Sequence, residues 1–418
     1  MKILLVSQYF WPESFRINDV VRTLVAKGVQ VDVLTGKPNY PSGNIFTGFR
    51  AIGCTEQIWA GARIFRVPLF PRGQKSSWRL ALNYLSFVSS GLVFGPWLLR
   101  KHQYDVVFVY SPSPILQAIP AIFLAWIKNR PLVLWVQDLW PDSLAATGHV
   151  KNVHLLKAVG WIVRWIYSCA DLLLVQSQAF VAEVRQLAPN RPITYYPNSV
   201  DSIFAKLPDT NATNLALGLS IAIPQLESGF PVVFAGNIGV AQAVEVIVEA
   251  AALLQANPAI QFVIFGQGSC WEWMQNQLAV RGLKNVHLLG QHPVEAMPYV
   301  MQKAGALLVT LANEPIFALT VPNKVQAYLA AGRPIVACLN GEGARLVEEA
   351  KAGISVPAQD AAALAAALLK IYQLPEADRT QMGVNGRSFY NQHFEHDQLV
   401  DELLVHLHHC VDLTKDLP

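Results

Sequence analysis

Two glycine-rich turns in the second half of the chain have the composition of a phosphate-binding site. Each turn directly follows a short apolar run, at 232–235 and at 261–265. The residues are Gly236, Asn237, Gly239 and Gln242 after the first run, and Gly266, Gln267 and Gly268 after the second. Glycine lets a backbone approach a ligand closely, and the next helix offers free N–H groups and a positive dipole end to phosphate. Two such turns in consecutive strand–helix units favour a phosphorylated ligand, although a turn also needs glycine for its geometry. Neither turn matches G-x-G-x-x-G, so the dinucleotide fingerprint is absent.

A third segment places a cation at the start of a helix. The run 323–331 has helical spacing, with Pro322 before it and Gly332 after it. Lys324 therefore lies in the first turn, where the helix dipole disfavours a positive charge. A bound anion would compensate, so we predict that Lys324, together with Asn323, contacts a diphosphate from an exposed position in a cleft. The alternative is an ordinary solvent-exposed lysine.

In the first half, a carboxylate follows a buried apolar run at 132–136. Asp138 has aromatic and apolar neighbours that would raise its pKa, and a carboxylate there could accept the proton of an attacking hydroxyl. The alternative is an N-cap before Pro141. Asp138 and Asp142 do not form a D-x-D pair, so we predict activity without a metal.

The head of the first predicted helix is a possible second anion site. Arg16 and Asn18 lie there, on the side that we assign to the acceptor. They could equally form a salt bridge and a helix cap.

Composition limits the class of protein. A length of 418 residues predicts two domains, since single cores rarely grow beyond about 300 residues. The chain is 52% hydrophobic and only 15% charged, as expected for large buried parallel sheets. A net charge of +3 does not favour a nucleic-acid partner. The five cysteines are scattered without a C-x-x-C pair, which argues against a disulfide framework or zinc site and fits a reducing cytosol.

The positioning elements alternate along the chain. Short apolar runs without in–out alternation predict strands buried on both faces, and amphipathic stretches predict helices between them. This α/β pattern predicts doubly wound, Rossmann-like domains. We place the first domain at 1–200, the second at 201–385 and a C-terminal helix at 386–418, with residues 387–411 as one continuous helix.

Residues 80–99 form an uncharged stretch long enough, nominally, to span a bilayer. We predict a helix at a membrane surface, with a buried core helix and a true span as the alternatives. The apolar residues that would enter the interface are Leu82, Leu85, Phe87, Leu92, Phe94 and Trp97. The flanking cations that would meet anionic head groups are Arg72, Lys75, Arg79, Arg100 and Lys101.

Six stretches, in order, resemble glycosyltransferase family 4 over essentially the whole chain. They are FWPESFRINDVVRTLVAKG, VLTGKPNYPSG, VQDLWPDS, FAGNIGVAQAVEVIVEAA, GLKNVHLLGQHP and PNKVQAYLAAGRPIVA. The narrower resemblance is to bacterial enzymes of surface-polysaccharide assembly, such as N-acetylfucosaminyl and colanic-acid-type transferases. It implies a GT-B fold, in which two Rossmann-like domains face each other across a cleft. It also implies transfer of a sugar from a nucleoside diphosphate sugar to a hydroxyl, with retention of configuration and no cofactor.

The resemblance also implies partners and residue roles. The acceptor would be linked to a polyprenyl diphosphate, and the enzyme would be cytoplasmic or peripheral at the inner face of the membrane. The two glycine turns and Lys324 fall where the family holds the donor diphosphate. Gly290, Gln291 and His292 fall where it holds the base.

The chain departs from the family pattern at several positions. Leu319 and Ala327 occupy the positions of two glutamates that are characteristic of the family. Asn237 and Gln242 occupy those of a basic pair, and Phe15 and Arg16 those of an N-terminal glycine pair. We expect Lys324, Glu342 and Arg16 to substitute. A sugar-nucleotide epimerase on the same scaffold and a non-catalytic nucleotide-sugar-binding protein remain alternatives.

Overall fold

The computed structural model describes residues 1–73, 76–146, 152–200, 202–205 and 223–415. These residues form two compact units. The first unit comprises Met1–Pro197 and the chain from Asp397 onward, and the second comprises Asn198–His396. This division differs from the predicted one at the C-terminus, because the segment 386–418 is shared between the two units.

The first unit is built on an eight-stranded sheet with the order β3-β4-β2-β1-β5-β6-β7-β8. The strands are β1 (Lys2–Val6), β2 (Gln30–Thr35), β3 (Thr55–Trp59), β4 (Ala62–Arg66), β5 (Val106–Ser111), β6 (Leu132–Val136), β7 (Leu172–Val175) and β8 (Ile193–Tyr195). Neighbouring strands are parallel except for β3, which pairs antiparallel with β4 at the edge. Strand β3 was missed by the sequence analysis because its side chains are mostly exposed and form no apolar run.

Helices of the first unit follow these strands. They are α1 (Ile17–Ala26), α2 (Ser77–Leu98), α3 (Ala118–Lys128), α4 (Asp142–Ala146), α5 (Val153–Cys169) and α6 (Gln178–Leu187). The predicted amphipathic face of α1 is confirmed, since Ile17, Val20, Val21 and Leu24 are buried against the sheet.

The second unit contains a six-stranded, fully parallel sheet with the order β11-β10-β9-β12-β13-β14. The strands are β9 (Phe230–Ala235), β10 (Ile260–Phe265), β11 (Val286–Gly290), β12 (Ala306–Thr310), β13 (Ile335–Cys338) and β14 (Gly353–Val356). Alternate residues along β9 belong to the apolar cores on opposite faces of the sheet, as in a doubly wound sheet.

The helices of the second unit and of the C-terminus complete the fold. They are α7 (Ser202–Ala205), α8 (Pro224–Glu227), α9 (Glu245–Leu253), α10 (Trp271–Arg281), α11 (Met297–Gln302), α12 (Pro315–Leu319), α13 (Asn323–Ala331), α14 (Glu342–Glu349), α15 (Ala361–Gln373), α16 (Glu376–His393) and α17 (His396–Lys415). The expectation of one continuous helix over 387–411 was wrong. The chain interrupts the helix at Phe394 and Glu395, and α17 packs its apolar side into the core of the first unit.

The uncharged stretch forms most of α2. The Gly95–Pro96 pair does not break this helix, which continues to Leu98, and Gly95 lies against Leu34 and Leu124. Phe87 is fully buried, so its predicted place in a membrane interface was wrong. Among the described residues, no helix is long and apolar enough to cross a membrane.

Candidate active site

Helix α13 is held against the end of β9 by a hydrogen bond from one of its side chains. The backbone N–H of Ala235, the last residue of β9, donates to the hydroxyl of Tyr328 at 3.1 Å. Tyr328 and Lys324 are four residues apart and so lie on the same side of the helix. The predicted bounds of this helix are confirmed, with Pro322 at the N-cap and Gly332 as a left-handed C-cap.

The ammonium group of Lys324 is buried at this junction. Its Nζ lies 3.6 Å from the centre of the Phe234 ring and has no hydrogen-bond partner among the described residues. Burial lowers the pKa of Lys324 to about 7. The expectation of an exposed lysine was therefore wrong, because the aromatic ring of β9 lies against the ammonium.

The turn after β9 approaches Lys324 so closely that any side chain at Gly236 would have to displace the lysine. A Cβ added at Gly236 would lie 2.4 Å from Cε and 2.9 Å from Nζ of Lys324, and its φ of +140° also favours glycine. The next turn is equally tight, since a Cβ at Gly266 would lie 1.8 Å from the carbonyl oxygen of Gly236. The structure thus brings together the two glycine turns and the lysine, which are far apart in sequence.

Hydrogen bonds fix the remaining residues of these turns. Asn237 Nδ2 donates to Gln242 Oε1 at 3.2 Å, and the backbone N–H of Ile238 donates to the carbonyl of Gln267 at 3.0 Å. A Cβ at Gly239 would lie 2.6 Å from Asn237 Nδ2, and one at Gly268 would lie 2.6 Å from Asn237 Oδ1. Asn237 is exposed, but its amide lies against both turns and is oriented by the bond to Gln242.

The predicted base-binding segment follows β11, the neighbour of β10. Gly290 accepts a hydrogen bond from the backbone N–H of Gly266 at 2.7 Å. The ring of His292 packs edge-on against Phe265 with centroids 5.3 Å apart, and Gln291 is exposed. The segment therefore borders the second glycine turn.

Glu342 begins α14, and its carboxylate is neutralised locally. It accepts hydrogen bonds from Nε and Nη2 of Arg345 at 3.1 and 3.0 Å. Asn323, in contrast, is exposed at the first position of α13.

In the first unit, Asp138 lies in the loop after β6. Burial raises the pKa of Asp138, while hydrogen bonds from Ser143 and from the backbone of Leu139 lower it. Burial is the main cause of the raised pKa values of Tyr84 and Tyr167, and the charge of Asp138 adds to both. The following helix begins only at Asp142, which makes Asp138 a poor candidate for its N-cap.

The side-chain amide of Asn18 forms hydrogen bonds within the loop that precedes α1. Its Oδ1 accepts from the backbone N–H of Trp11 at 3.1 Å, and its Nδ2 donates to the carbonyl of Glu13 at 2.7 Å. Each end of the amide thus makes one hydrogen bond within the loop. These bonds fix the orientation of Asn18, and its role on the acceptor side stays a prediction.

Glu13 is a buried carboxylate at the loops near Arg16 and Asn18 that the sequence did not single out. Its buried carboxylate accepts from the backbone N–H groups of Asn39 and Tyr40 at 2.8 and 2.7 Å, and so ties the loops after β1 and β2 together. Burial raises its pKa to about 7, although these bonds and Arg66 lower it. No short-range sequence pattern predicts these two contacts, since Asn39 and Tyr40 lie 26 and 27 positions away from Glu13.

Arg16 and an aromatic cluster lie close to these loops. Burial raises the pKa of Tyr110 to about 12, and the positive charge of Arg16 partly offsets this rise. Phe15 stacks on Tyr9 with ring centroids 5.2 Å apart, and Tyr40 packs against both rings. The cluster gives these loops an aromatic lining.

Two family descriptions match the chain and together cover most of it. "Glycosyl transferase 4-like domain" matches residues 14–199, and "Glycosyl transferases group 1" matches residues 229–374. The chain is a family 4 glycosyltransferase. It is thus a hexosyltransferase by family, as the resemblance implied.

Individual relatives agree with this assignment. One relative is WcaI of Escherichia coli (strain K12), which is named provisionally as a glycosyl transferase of colanic acid biosynthesis. It is 25% identical to this chain, over 79% of this chain and 82% of its own length. WbjE of Pseudomonas aeruginosa, provisionally named a glycosyltransferase, is also 25% identical, over 78% and 79% of the two chains. The predicted resemblance to the bacterial surface-polysaccharide subgroup is thereby confirmed.

A solved structure confirms the fold. Anabaena Alr3699/HepE, crystallised in complex with UDP and glucose, superposes with a TM-score of 0.67 at 17% identity, over 97% of this chain and 99% of its own. The predicted GT-B class with two parallel-sheet domains is therefore correct.

The departures from the family 4 pattern have structural consequences. Ala327, in place of a glutamate, is buried in the apolar core behind α13, and Leu319 ends α12. Asn237 and Gln242, in place of a basic pair, bond to each other. Lys324 is consequently the cation that lies directly against the first glycine turn of this glycosyltransferase.

Proposed function

We propose that this glycosyltransferase moves a hexose-type sugar from a nucleoside diphosphate sugar to a hydroxyl acceptor, and that Lys324 binds the donor diphosphate. The supporting observation is the buried ammonium at Gly236, which has no hydrogen-bond partner among the described residues. Burying an unpaired charge is costly, so natural proteins keep one mainly where a ligand pairs with it.

Helix α13 adds to the same anion site. Its N-cap is Pro322, and no side chain caps the helix, so backbone N–H groups of its first turn remain available to phosphate oxygens. The turn at Gly236 lets a diphosphate approach the ammonium without a side chain between them. Lys324 and the helix dipole would stabilise the negative charge that develops on the leaving diphosphate, in place of a metal. One such donor is typically worth about 3–4 kcal/mol in the transition state.

Asp138 is the proposed base on the acceptor side. Burial raises its pKa, and a carboxylate in such a setting can accept the proton of the attacking hydroxyl. In a retaining reaction the leaving phosphate can take this proton instead, which would reduce the contribution of Asp138.

The acceptor is proposed to be linked to a polyprenyl diphosphate, in surface-polysaccharide assembly at the inner face of the membrane. The name of WcaI supports the pathway class. Helix α2 supports the membrane contact, because it exposes Leu82, Leu85, Phe94 and Trp97 and is followed by Arg100 and Lys101. Lys75, part of the predicted basic flank, lies outside the described residues.

The experiment is nucleotide release with and without an acceptor. A thermal-shift screen with UDP, GDP, dTDP and CMP sugars first identifies the donor, and a coupled assay then measures release of its nucleotide. Lys324→Ala should lower kcat/KM by about a hundredfold or more. Lys370→Ala, an exposed lysine of α15, is the matched control and should leave the kinetics unchanged.

The outcomes separate the alternatives. Acceptor-dependent nucleotide release supports transfer, whereas epimerisation without release supports the epimerase. Tight nucleotide binding without turnover, in the presence of acceptors that family relatives use, supports a binding protein. Unchanged steady-state kinetics in Lys324→Ala would reject the role of this lysine.

A further inference from the structure

Helices α2, α3 and α5 pack side by side in the first unit. Small residues allow α2 to approach α3 closely, since a Cβ at Gly91 would lie 2.8 Å from Pro120 and one at Gly95 would lie 3.4 Å from Leu124. Helix α3 in turn contacts α5. The three helices therefore present one continuous outer surface, which we call the three-helix face.

The three-helix face is unusually rich in exposed apolar side chains. The helices are 22, 11 and 17 residues long, yet they carry half of the large hydrophobic side chains that are exposed among the described residues. These are Trp78, Leu82, Leu85, Val93, Phe94 and Trp97 on α2, Trp126 and Ile127 on α3, and Val153, Leu155, Trp161, Ile162 and Trp165 on α5. Trp126 and Trp161 are 76% and 73% exposed, so they are not part of any core. Concentrations of this kind mark interaction surfaces.

The charges on the three-helix face have one sign. None of the three helices contains an aspartate or a glutamate. Their cations are Arg79 on α2, Lys128 on α3, and Lys157 and Arg164 on α5, and Arg100 follows α2. Arg79 lies over the ring of Trp78 and Arg100 over the ring of Trp97, at 5.5 and 4.9 Å. Soluble surfaces normally mix both signs, whereas tryptophan next to arginine or lysine is typical of membrane–water interfaces.

We propose that the whole three-helix face, with α5 as its second anchor, docks on an anionic lipid bilayer. This inference deepens the proposed function, which assigns membrane contact to α2 alone. The partner is a lipid surface because the face combines indole rings with cations and lacks carboxylates, which anionic head groups would repel. Each cation near the surface adds attraction to anionic lipid that salt weakens.

A groove beside α5 links this face to the loop of Asp138. It has a volume of about 370 Å³ and lies between α5, the loop 139–142 and α6. Its lining includes Lys157, Trp161 and Arg164 from α5 and Trp140 from the loop, together with the carboxylates of Asp142 and Glu183. Docking of α5 therefore brings the loop that directly follows Asp138 to the bilayer, where a lipid-linked hydroxyl would be presented.

The test is binding of the purified chain to vesicles of phosphatidylcholine with and without phosphatidylglycerol. The α5 variant replaces two exposed indoles, Trp161→Ser with Trp165→Ser. The matched control, Trp273→Ser with Val280→Ser, removes exposed apolar side chains of α10 in the second unit. We expect binding to anionic vesicles to weaken at least about tenfold in the α5 variant and to stay unchanged in the control. Lys157→Glu with Arg164→Glu should abolish much of the preference for phosphatidylglycerol.

Several results would overturn the inference. Wild-type binding by the α5 variant would restrict docking to α2, and equal binding to neutral vesicles would remove the electrostatic argument. Sedimentation equilibrium tests whether the three-helix face instead binds a second copy of this chain. If the wild type forms a dimer and does not bind vesicles, and the α5 variant is a monomer, the face is a subunit interface. Vesicle binding requires neither donor nor acceptor, so nucleotide release in solution tests the proposed function separately. Unchanged melting temperatures verify that the variants fold.

Discussion

Binding of the donor nucleotide should be accompanied by uptake of a proton by Lys324. Burial lowers the pKa of this lysine to about 7, so at pH 8 the free enzyme carries it about 90% neutral. A diphosphate bound against the ammonium favours the charged form and should raise the pKa by roughly 1–3 units. At the upper part of this range, the bound enzyme is almost fully protonated at pH 8.

The expected size of the effect follows from these two pKa values. At pH 8 about 0.4–0.9 proton should be taken up per nucleotide bound for a pKa rise of about 1–3 units, and at pH 6, where Lys324 is already charged, uptake by this group should approach zero. The phosphates of UDP are fully ionised at pH 8, since their last pKa is about 6, and so they contribute little there.

Isothermal titration with UDP, or with the nucleotide that the thermal-shift screen selects, measures this uptake. The observed enthalpy is plotted against the ionisation enthalpy of two or more buffers, and the slope gives the number of protons. Lys324→Met keeps an apolar side chain over Phe234 and should show no uptake at pH 8. It should also bind the nucleotide roughly 10–100-fold more weakly, because a charge-assisted hydrogen bond is worth about 1.5–3 kcal/mol.

Two results would refute the reasoning. A wild-type enzyme that takes up no proton at pH 8 would mean that the diphosphate does not meet Lys324. Equal uptake in Lys324→Met would assign the proton to another group. Lys370→Ala serves again as the control and should match the wild type.

Four further predictions follow from the same geometry. The free energy of unfolding of the wild type, relative to that of Lys324→Met, should rise with pH from about 7 towards 10.5, because the folded-state pKa of Lys324 lies below its unfolded value and the unfolded chain binds the extra proton. In urea unfolding at several pH values, this difference should grow by up to about 1.4 kcal/mol per pH unit. A difference that does not change with pH would contradict the burial of Lys324. Gly236→Ala should weaken nucleotide binding about tenfold in calorimetry, because its Cβ would displace Lys324, whereas Gly282→Ala, with positive φ but open space, should cost stability only. Asp138→Asn should lower kcat by about 10²–10⁴ with donor affinity preserved, and a lower melting temperature with normal kinetics would make the residue structural. Activity should survive EDTA, and restoration by Mg²⁺ or Mn²⁺ after its loss would reject the metal-free mechanism.

The buried strands were predictable because their composition reflects their environment. The run Leu132–Val136 is buried on both faces, and its observed bounds equal the predicted ones. Edge strand β3 carries no such signal, since Glu56 and Ile58 are both exposed and only its pairing with β4 makes it a strand. Burial by the rest of the fold thus decides which strands can be predicted.

The site was predictable where it depends on local sequence. The helix start placed Lys324 in its first turn correctly, and the glycine turns after β9 and β10 were located by the apolar runs before them. The burial of Lys324 depends on Phe234, which lies 90 residues away, and the ties of Asn18 depend on the path of its loop. Such facts come from tertiary structure, which propensity and spacing do not contain.

In the free enzyme, two electrostatic effects therefore oppose the positive charge of Lys324 at the end of β9, and we call this opposition the electrostatic conflict. A lysine in the first turn of a helix opposes the helix dipole, and its burial deprives the charge of water. Many family members distribute the diphosphate contact over a basic pair, but here Asn237 and Gln242 occupy those positions and bond to each other. Lys324 lies directly against this turn, so the site should depend on Lys324 more strongly than a site that shares the contact among several cations. In the free enzyme this conflict is relieved by loss of the proton, since burial lowers the pKa of Lys324 to about 7, whereas a bound diphosphate stabilises the charged form instead.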